Sequence, residues 1–154
     1  MQRRSFLKGT LAGSAVAVAV GAGLLSPRTV LAAWPKAAFE AKSVNDAMSK
    51  LYGSADNTPS ADIKIKAPDI AENGAVVPVS VSTSMGNVDS IAVIAEKNGT
   101  PLASNFKLSA NTVPNVSTRI KMGKTSDVIA VVKANGKAYS ARKNVKVTIG
   151  GCGG

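Results

Sequence analysis

Beyond Thr58, apolar side chains alternate with polar ones, or run together, over stretches the length of a β-strand. Ile63-Lys64-Ile65-Lys66 and Val77-Pro78-Val79-Ser80-Val81-Ser82 repeat with period two, the spacing that sets every second side chain on one face of a sheet. Ile91-Ala92-Val93-Ile94 is apolar throughout, and Ser117 to Met122, Val128 to Lys133 and Ala138 to Ile149 bring the expectation to about seven strands. Between the apolar runs stand Asn73-Gly74, Gly86-Asn87, Asn98-Gly99 and Asn135-Gly136, pairs that tolerate the positive φ of tight turns. Ala134-Asn135-Gly136-Lys137 is expected as the hairpin joining the last two strands. Pro78 has no N–H for a ladder, so its strand is expected at an edge or a bulge.

Ahead of these strands the period changes. Ala37, Ala38, Ala41, Val44, Ala47, Met48 and Leu51 recur at helical spacing and Gly53 follows as a stop, predicting one amphipathic helix from Lys36 to Leu51. Such a stripe serves to bury one face, here in the core or over a sheet end. The fold class that follows is all-β with a short N-terminal helix: an immunoglobulin-like antiparallel β-sandwich. An OB-type barrel would call for five longer, strongly curved strands. The inter-sheet disulfide usual in immunoglobulin domains cannot form, because the chain has one cysteine.

The first residues have a different character. Arg3-Arg4-Ser5-Phe6-Leu7-Lys8 leads into an Ala, Gly and Val-rich stretch from Leu11 to Leu25, then Pro27 and the small-residue ending Val30-Leu31-Ala32. That order matches a twin-arginine export signal cleaved near Ala32 or Ala33. The apolar stretch, about 15 residues, falls short of the roughly 20 that cross a bilayer, so no stable membrane association is expected. The resulting organisation is residues 1–32 as export signal, 33–57 as a helical segment, 58–149 as the sandwich and 150–154 as a C-terminal arm, with the periplasm as destination. Because the twin-arginine route carries folded proteins, a partner acquired before export is expected.

Composition narrows the chemistry. Of the 19 basic residues, Arg3, Arg4, Lys8 and Arg28 fall in the leader, which has no acid; 15 bases then face 9 acids, a balance of +6. Six aromatics in the chain and no Arg-rich run argue against nucleic-acid binding, which relies on stacking platforms and basic stripes. The absence of histidine rules out Ser-His and Cys-His nucleophile pairs and His-based metal sites. A single cysteine rules out Cys-rich zinc or iron–sulfur clusters. No catalytic residue, metal site or cofactor is expected in this chain.

What remains is the ending Gly150-Gly151-Cys152-Gly153-Gly154. Val145, Val147 and Ile149 face one way along the last strand and Lys146 and Thr148 the other, so order is expected to end at Ile149. Glycines on both sides of Cys152 remove packing side chains and backbone restriction, and they make the thinnest peptide that can be threaded into a narrow pocket. Fully extended, Gly150 to Cys152 reach roughly 10 Å, at about 3.3 to 3.6 Å each. An unperturbed thiol is only a few per cent ionised at pH 7, and the terminal carboxylate nearby works against ionisation. Activation must then come from the proteins that receive the arm, which makes Cys152 a covalent attachment point rather than a catalyst. An exported structural or adhesive sandwich, whose tail forms an intermolecular disulfide, is the alternative from another class.

Leader, helix, sandwich, Val147-Thr148-Ile149 and the terminal pentapeptide together resemble the SoxY family, sulfur carriers of the bacterial thiosulfate-oxidising Sox system. The resemblance implies that Cys152 carries thiosulfate and its oxidation products as a covalent adduct, with Gly150, Gly151, Gly153 and Gly154 as the flexible arm. It implies a heterodimer with a SoxZ-type immunoglobulin-like subunit that lacks its own export signal. It also implies transient docking to a haem cytochrome, a manganese hydrolase and, where the organism has one, a sulfane dehydrogenase.

Overall fold

The computed structural model describes residues 34–149; the expected leader and the arm at 150–154 lie outside that range. Nine strands and two helices occupy the described residues. The helical stretch is divided into α1 (Lys36–Phe39) and α2 (Val44–Tyr52), where one continuous helix was expected. The cause is Ser43: its backbone is extended (φ −134°, ψ 157°) and its Oγ accepts the N–H of Asp46 at 3.1 Å, an N-cap that starts α2 afresh. Gly53 closes α2 as anticipated, at φ +85°, donating its N–H to Ser49 O at 2.8 Å.

The strands are β1 (Thr58–Pro59), β2 (Ile63–Lys66), β3 (Ile70–Ala71), β4 (Val77–Thr83), β5 (Val88–Ala95), β6 (Leu102–Lys107), β7 (Asn115–Ile120), β8 (Ser126–Ala134) and β9 (Lys137–Val147). The larger sheet runs β1-β9-β8-β5-β6, with β3 also on β9; the smaller runs β2-β4-β7. This is the expected sandwich, but not a purely antiparallel one, because the two-residue strands β1 and β3 both pair parallel to β9.

Side-chain alternation explains the layers. From β5, Ile91, Val93 and Ala95 point between the sheets, as do Val128, Ala130 and Val132 of β8, and they meet Val77, Val79 and Val81 of β4. The intervening Ala92 and Ile94 of β5, and Ile129 and Val131 of β8, face the other way onto Ala38, Ala41, Ala47 and Met48 of the helical segment. The helices therefore cover the outer face of the larger sheet, and β5 and β8 are buried on both sides. That is why these strands read as continuous apolar runs while the half-covered β2 and β4 alternate. Each fully buried Val or Ile contributes about 1.5–3 kcal/mol.

Pro78 corrects an expectation in part. Its strand, β4, is central in the smaller sheet, yet β2 pairs only with Ser80 to Thr83, so the segment holding Pro78 has β7 alone as a neighbour. The missing N–H is thus tolerated at an overhang. The β8–β9 hairpin is as expected: Asn135 (φ 51°) and Gly136 (φ 75°) form a two-residue turn of type I′ between the paired Ala134 and Lys137.

Candidate functional site

Cys152 and its glycines Gly150, Gly151, Gly153 and Gly154 lie outside the described residues. The structure instead defines the place from which they depart. Regular β9 ends at Val147, two residues earlier than expected, but the backbone stays fastened through Ile149. On one side Thr125 Oγ1 accepts the N–H of Val147 at 2.9 Å. On the other, Lys146 N–H donates to Asp69 O at 2.9 Å and Thr148 N–H to Ala71 O at 3.1 Å. The Thr148 hydroxyl donates to Glu72 O at 3.1 Å, and Ile149 O accepts the N–H of Gly74 at 2.8 Å.

The segment that makes these bonds is itself held. Asn73 Oδ1 accepts the N–H of Ala75 at 2.9 Å, an Asx turn, and Gly74 O accepts the N–H of Met122 at 2.7 Å. Ala71 and Val145 are buried, so apolar packing clamps both β3 and the end of β9 while their last residues reach the surface. Each of these hydrogen bonds adds about 0.5–1.5 kcal/mol net, and together they fix where the chain leaves the domain.

Ile149 does not turn inward as the alternation predicts: 67% of it is exposed. Ile70 and Val76, on either side of the Glu72–Gly74 anchor, are 56% and 54% exposed. Three of the five large apolar side chains exposed among the described residues therefore surround one chain exit. The nearest charges are mixed. Lys143 pairs with Asp69 at 3.1 Å, an exposed ion pair of small energetic weight, and Lys146 projects into solvent in register with Ile70.

Sequence reasoning located the thiol but missed the anchor. Thr125, Glu72 and Gly74 are far from residues 147–149 in the chain, and no local pattern announces their pairing. Asn73-Gly74 was legible as a turn, not as a hydrogen-bond partner of the chain's end. Among the described residues no group of three or more His, Cys, Asp or Glu could hold a metal ion, and no helix is long and apolar enough to cross a membrane.

Comparison with known proteins gives a family. Residues 48–152 match the family described as sulfur oxidation protein SoxY, a span that begins in α2 and ends on Cys152. The chain belongs to the SoxY family. A solved structure of the sulfur carrier protein SoxY from Chlorobium limicola f. thiosulfatophilum is 42% identical, with a TM-score of 0.64, over 70% of this chain and 97% of that one. A superoxide reductase (neelaredoxin) from Ignicoccus hospitalis is 20% identical with a TM-score of 0.49, over 55% of this chain and 79% of that one. No curated protein matches. Membership of the SoxY family agrees with the sandwich built here and with the resemblance read from the sequence.

Proposed function

We propose that this SoxY-family chain is a periplasmic sulfur carrier, exported by the twin-arginine route, that holds thiosulfate-derived intermediates covalently on Cys152. The observation that carries the reading is the coincidence of two facts. The family match runs to Cys152, and the residues just before the arm are pinned at the surface by Thr125, Glu72 and Gly74. A carrier needs a fixed base of this kind, so that the reach of its arm is defined.

The chemistry assigned to Cys152 balances as follows. The thiol and thiosulfate join to give a Cys–S–S–SO3⁻ adduct, releasing one proton and two electrons that a haem cytochrome accepts. Water then cleaves the S–SO3 bond on a manganese hydrolase, giving sulfate, two protons and a persulfide anion left on the cysteine. A sulfane dehydrogenase, where present, oxidises the remaining sulfur. This chain supplies the tether and the leaving persulfide; its partners supply oxidant, metal and activation of the thiol. A SoxZ-type immunoglobulin-like subunit completes the carrier as a heterodimer, and the edge strands β2, β6 and β7 offer backbone on which it can dock.

The short reach has a structural consequence. Three extended residues span roughly 10 Å, so a protein that takes Cys152 into a pocket must bring its rim against Ile70, Val76 and Ile149. Those exposed side chains give docking an apolar contribution, while ordering the arm costs about 1–2 kcal/mol per residue. Contacts of this kind release readily, as a shuttle requires.

The test is intact-mass analysis of the chain purified from its native host during thiosulfate oxidation. Sulfur-containing additions are expected on the peptide that contains Cys152, with a small immunoglobulin-like subunit co-purifying. Cys152→Ser should abolish turnover and leave the folded domain intact. Turnover that persists in Cys152→Ser, with only tail-to-tail disulfide dimers in the native sample, would overturn the proposal.

A further inference from the structure

At the hairpin end of the larger sheet, Lys107 of β6, Ser90 of β5 and Lys133 of β8 form one cross-strand row, since Ser90 is in register with both lysines. Residues so registered share a face with Cβ atoms about 4.5–5.5 Å apart, so the two ammonium stems flank the serine hydroxyl. α2 ends above this row. The Ser90 hydroxyl donates to the Tyr52 hydroxyl at 3.4 Å, and Lys133 Nζ stands 5.8 Å from the centre of the Tyr52 ring. A cleft of about 300 Å³ opens here, lined among others by Tyr52, Asp89, Ser90, Asn105, Lys107 and Lys133.

The lining is chemically unfinished. Lys107 and Lys133 take part in no salt bridge among the described residues. Ser90 is only 6% exposed, and Asn105 Oδ1 is buried without a hydrogen-bond partner. An unpaired buried amide oxygen costs free energy unless a ligand or water meets it, and the Asn105 amide can turn either its carbonyl or its NH2 inward. Asp89 is the one carboxylate in the lining, against two lysines.

We propose that this cleft binds a small tetrahedral oxyanion of the sulfate type, with Lys107 and Lys133 neutralising its charge and the Tyr52 hydroxyl, itself accepting from Ser90, donating from the floor. Because Ser90 gives its proton to the Tyr52 oxygen, the Tyr52 O–H is left to point at the ligand. Burial raises the Tyr52 pKa above 10.0, a shift that the Ser90 hydrogen bond partly opposes, so Tyr52 stays a donor at any neutral pH. The site is separate from the carrier arm. β9 runs 11 residues from the hairpin to the arm's root, about 35 Å at strand rise, whereas a five-residue arm reaches about 17 Å. The inference therefore does not depend on the carrier reading.

The experiment is an NMR titration of the ¹⁵N-labelled chain, carrying Cys152→Ser to prevent dimers, with sodium sulfate at constant ionic strength balanced by sodium chloride. Saturating shifts are expected at residues 52, 90, 105, 107 and 133, with affinity falling at least tenfold in Lys107→Gln/Lys133→Gln and a few-fold in Tyr52→Phe. Should the double variant fail to fold, the exposed Lys107→Gln alone is expected to weaken binding about threefold. Shifts that rise linearly without saturating, that chloride reproduces, or that persist at unchanged affinity in the lysine variants would overturn the assignment.

Discussion

At its Lys137 end, β9 is closed by a two-residue turn whose residues both take positive φ, and it stays in register with β8 down to Ser126. At its Val147 end the same strand has outrun β8 and is held by Thr125 on one side and the short parallel strand β3 on the other. The first end is finished by backbone conformation, its turn residues Asn135, Gly136 and Lys137 standing in solvent. The second is clamped by the buried Ala71 and Val145, fastened beyond them by hydrogen bonds, and leaves Ile70, Val76 and Ile149 uncovered. Single exposed apolar residues are ordinary on a protein surface; three around one exit are a patch. The contrast teaches that secure anchoring of a strand end does not require burying its last residues, and that the unburied end is where another protein can be met.

The contrast should be sharpest where anchoring ends. Gly150→Pro with Gly151→Pro fixes the backbone beyond the anchor, and a misplaced reacting atom costs roughly a hundredfold in rate. On the proposed function, sulfur loading of Cys152 by the oxidising partner is expected to fall by about that factor, with the thermal midpoint of the domain unchanged. At the opposite end the outcome should invert. Gly136→Val forces a β-branched side chain into a left-handed backbone at φ 75°, costing about 1–2 kcal/mol. Chemical denaturation should show that loss while loading proceeds at the wild-type rate. A loading defect in Gly136→Val, measured at a temperature where it remains folded, would mean that the two ends are coupled and the comparison is wrong.

A smaller effect tests the uncovered patch. Ile149→Ser with Val76→Ser removes apolar surface that is already exposed, so stability should change by less than about 0.5 kcal/mol. If the rim of the receiving protein rests on these side chains, KM for loading rises about fivefold, near 1 kcal/mol, with kcat unchanged. An unaltered KM would move docking elsewhere on the domain.

How much of this was legible in the chain depended on whether the cause was local. The I′ turn at Asn135-Gly136, the stop at Gly53 and the strands β4, β5 and β8 follow from residues adjacent in sequence, and each is present. The break between α1 and α2 was also written locally, in Ser43 and Asp46, but the apolar stripe running through it favoured a single helix. β6 left little trace: Ser104 and Asn105 interrupt its apolar pattern, and as an edge strand it is half-exposed. β1 and β3 left none, because a two-residue parallel strand exists only by virtue of the β9 beside it. Cys152 could be singled out by its neighbours alone, whereas its anchor depends on Thr148 meeting Glu72, 76 residues away.

The smallest expected effect belongs to the hairpin end and depends on pH. Tyr52 is desolvated over the Ser90 row, which favours the neutral phenol and raises its pKa in the folded chain above the unfolded value of 10.0. Between those two values the folded state holds a proton that the unfolded state has lost. Folding stability is therefore at its full value below pH 10 and declines as pH rises toward the folded pKa. The wild-type slope alone does not identify the group responsible. Tyr52→Phe does: it keeps the ring over the sheet and deletes the titrating oxygen, so the alkaline decline measured by urea unfolding should flatten while stability at pH 7 changes only by the loss of one Ser90 hydrogen bond. A decline that is as steep in Tyr52→Phe as in the wild type would place the alkaline sensitivity outside α2.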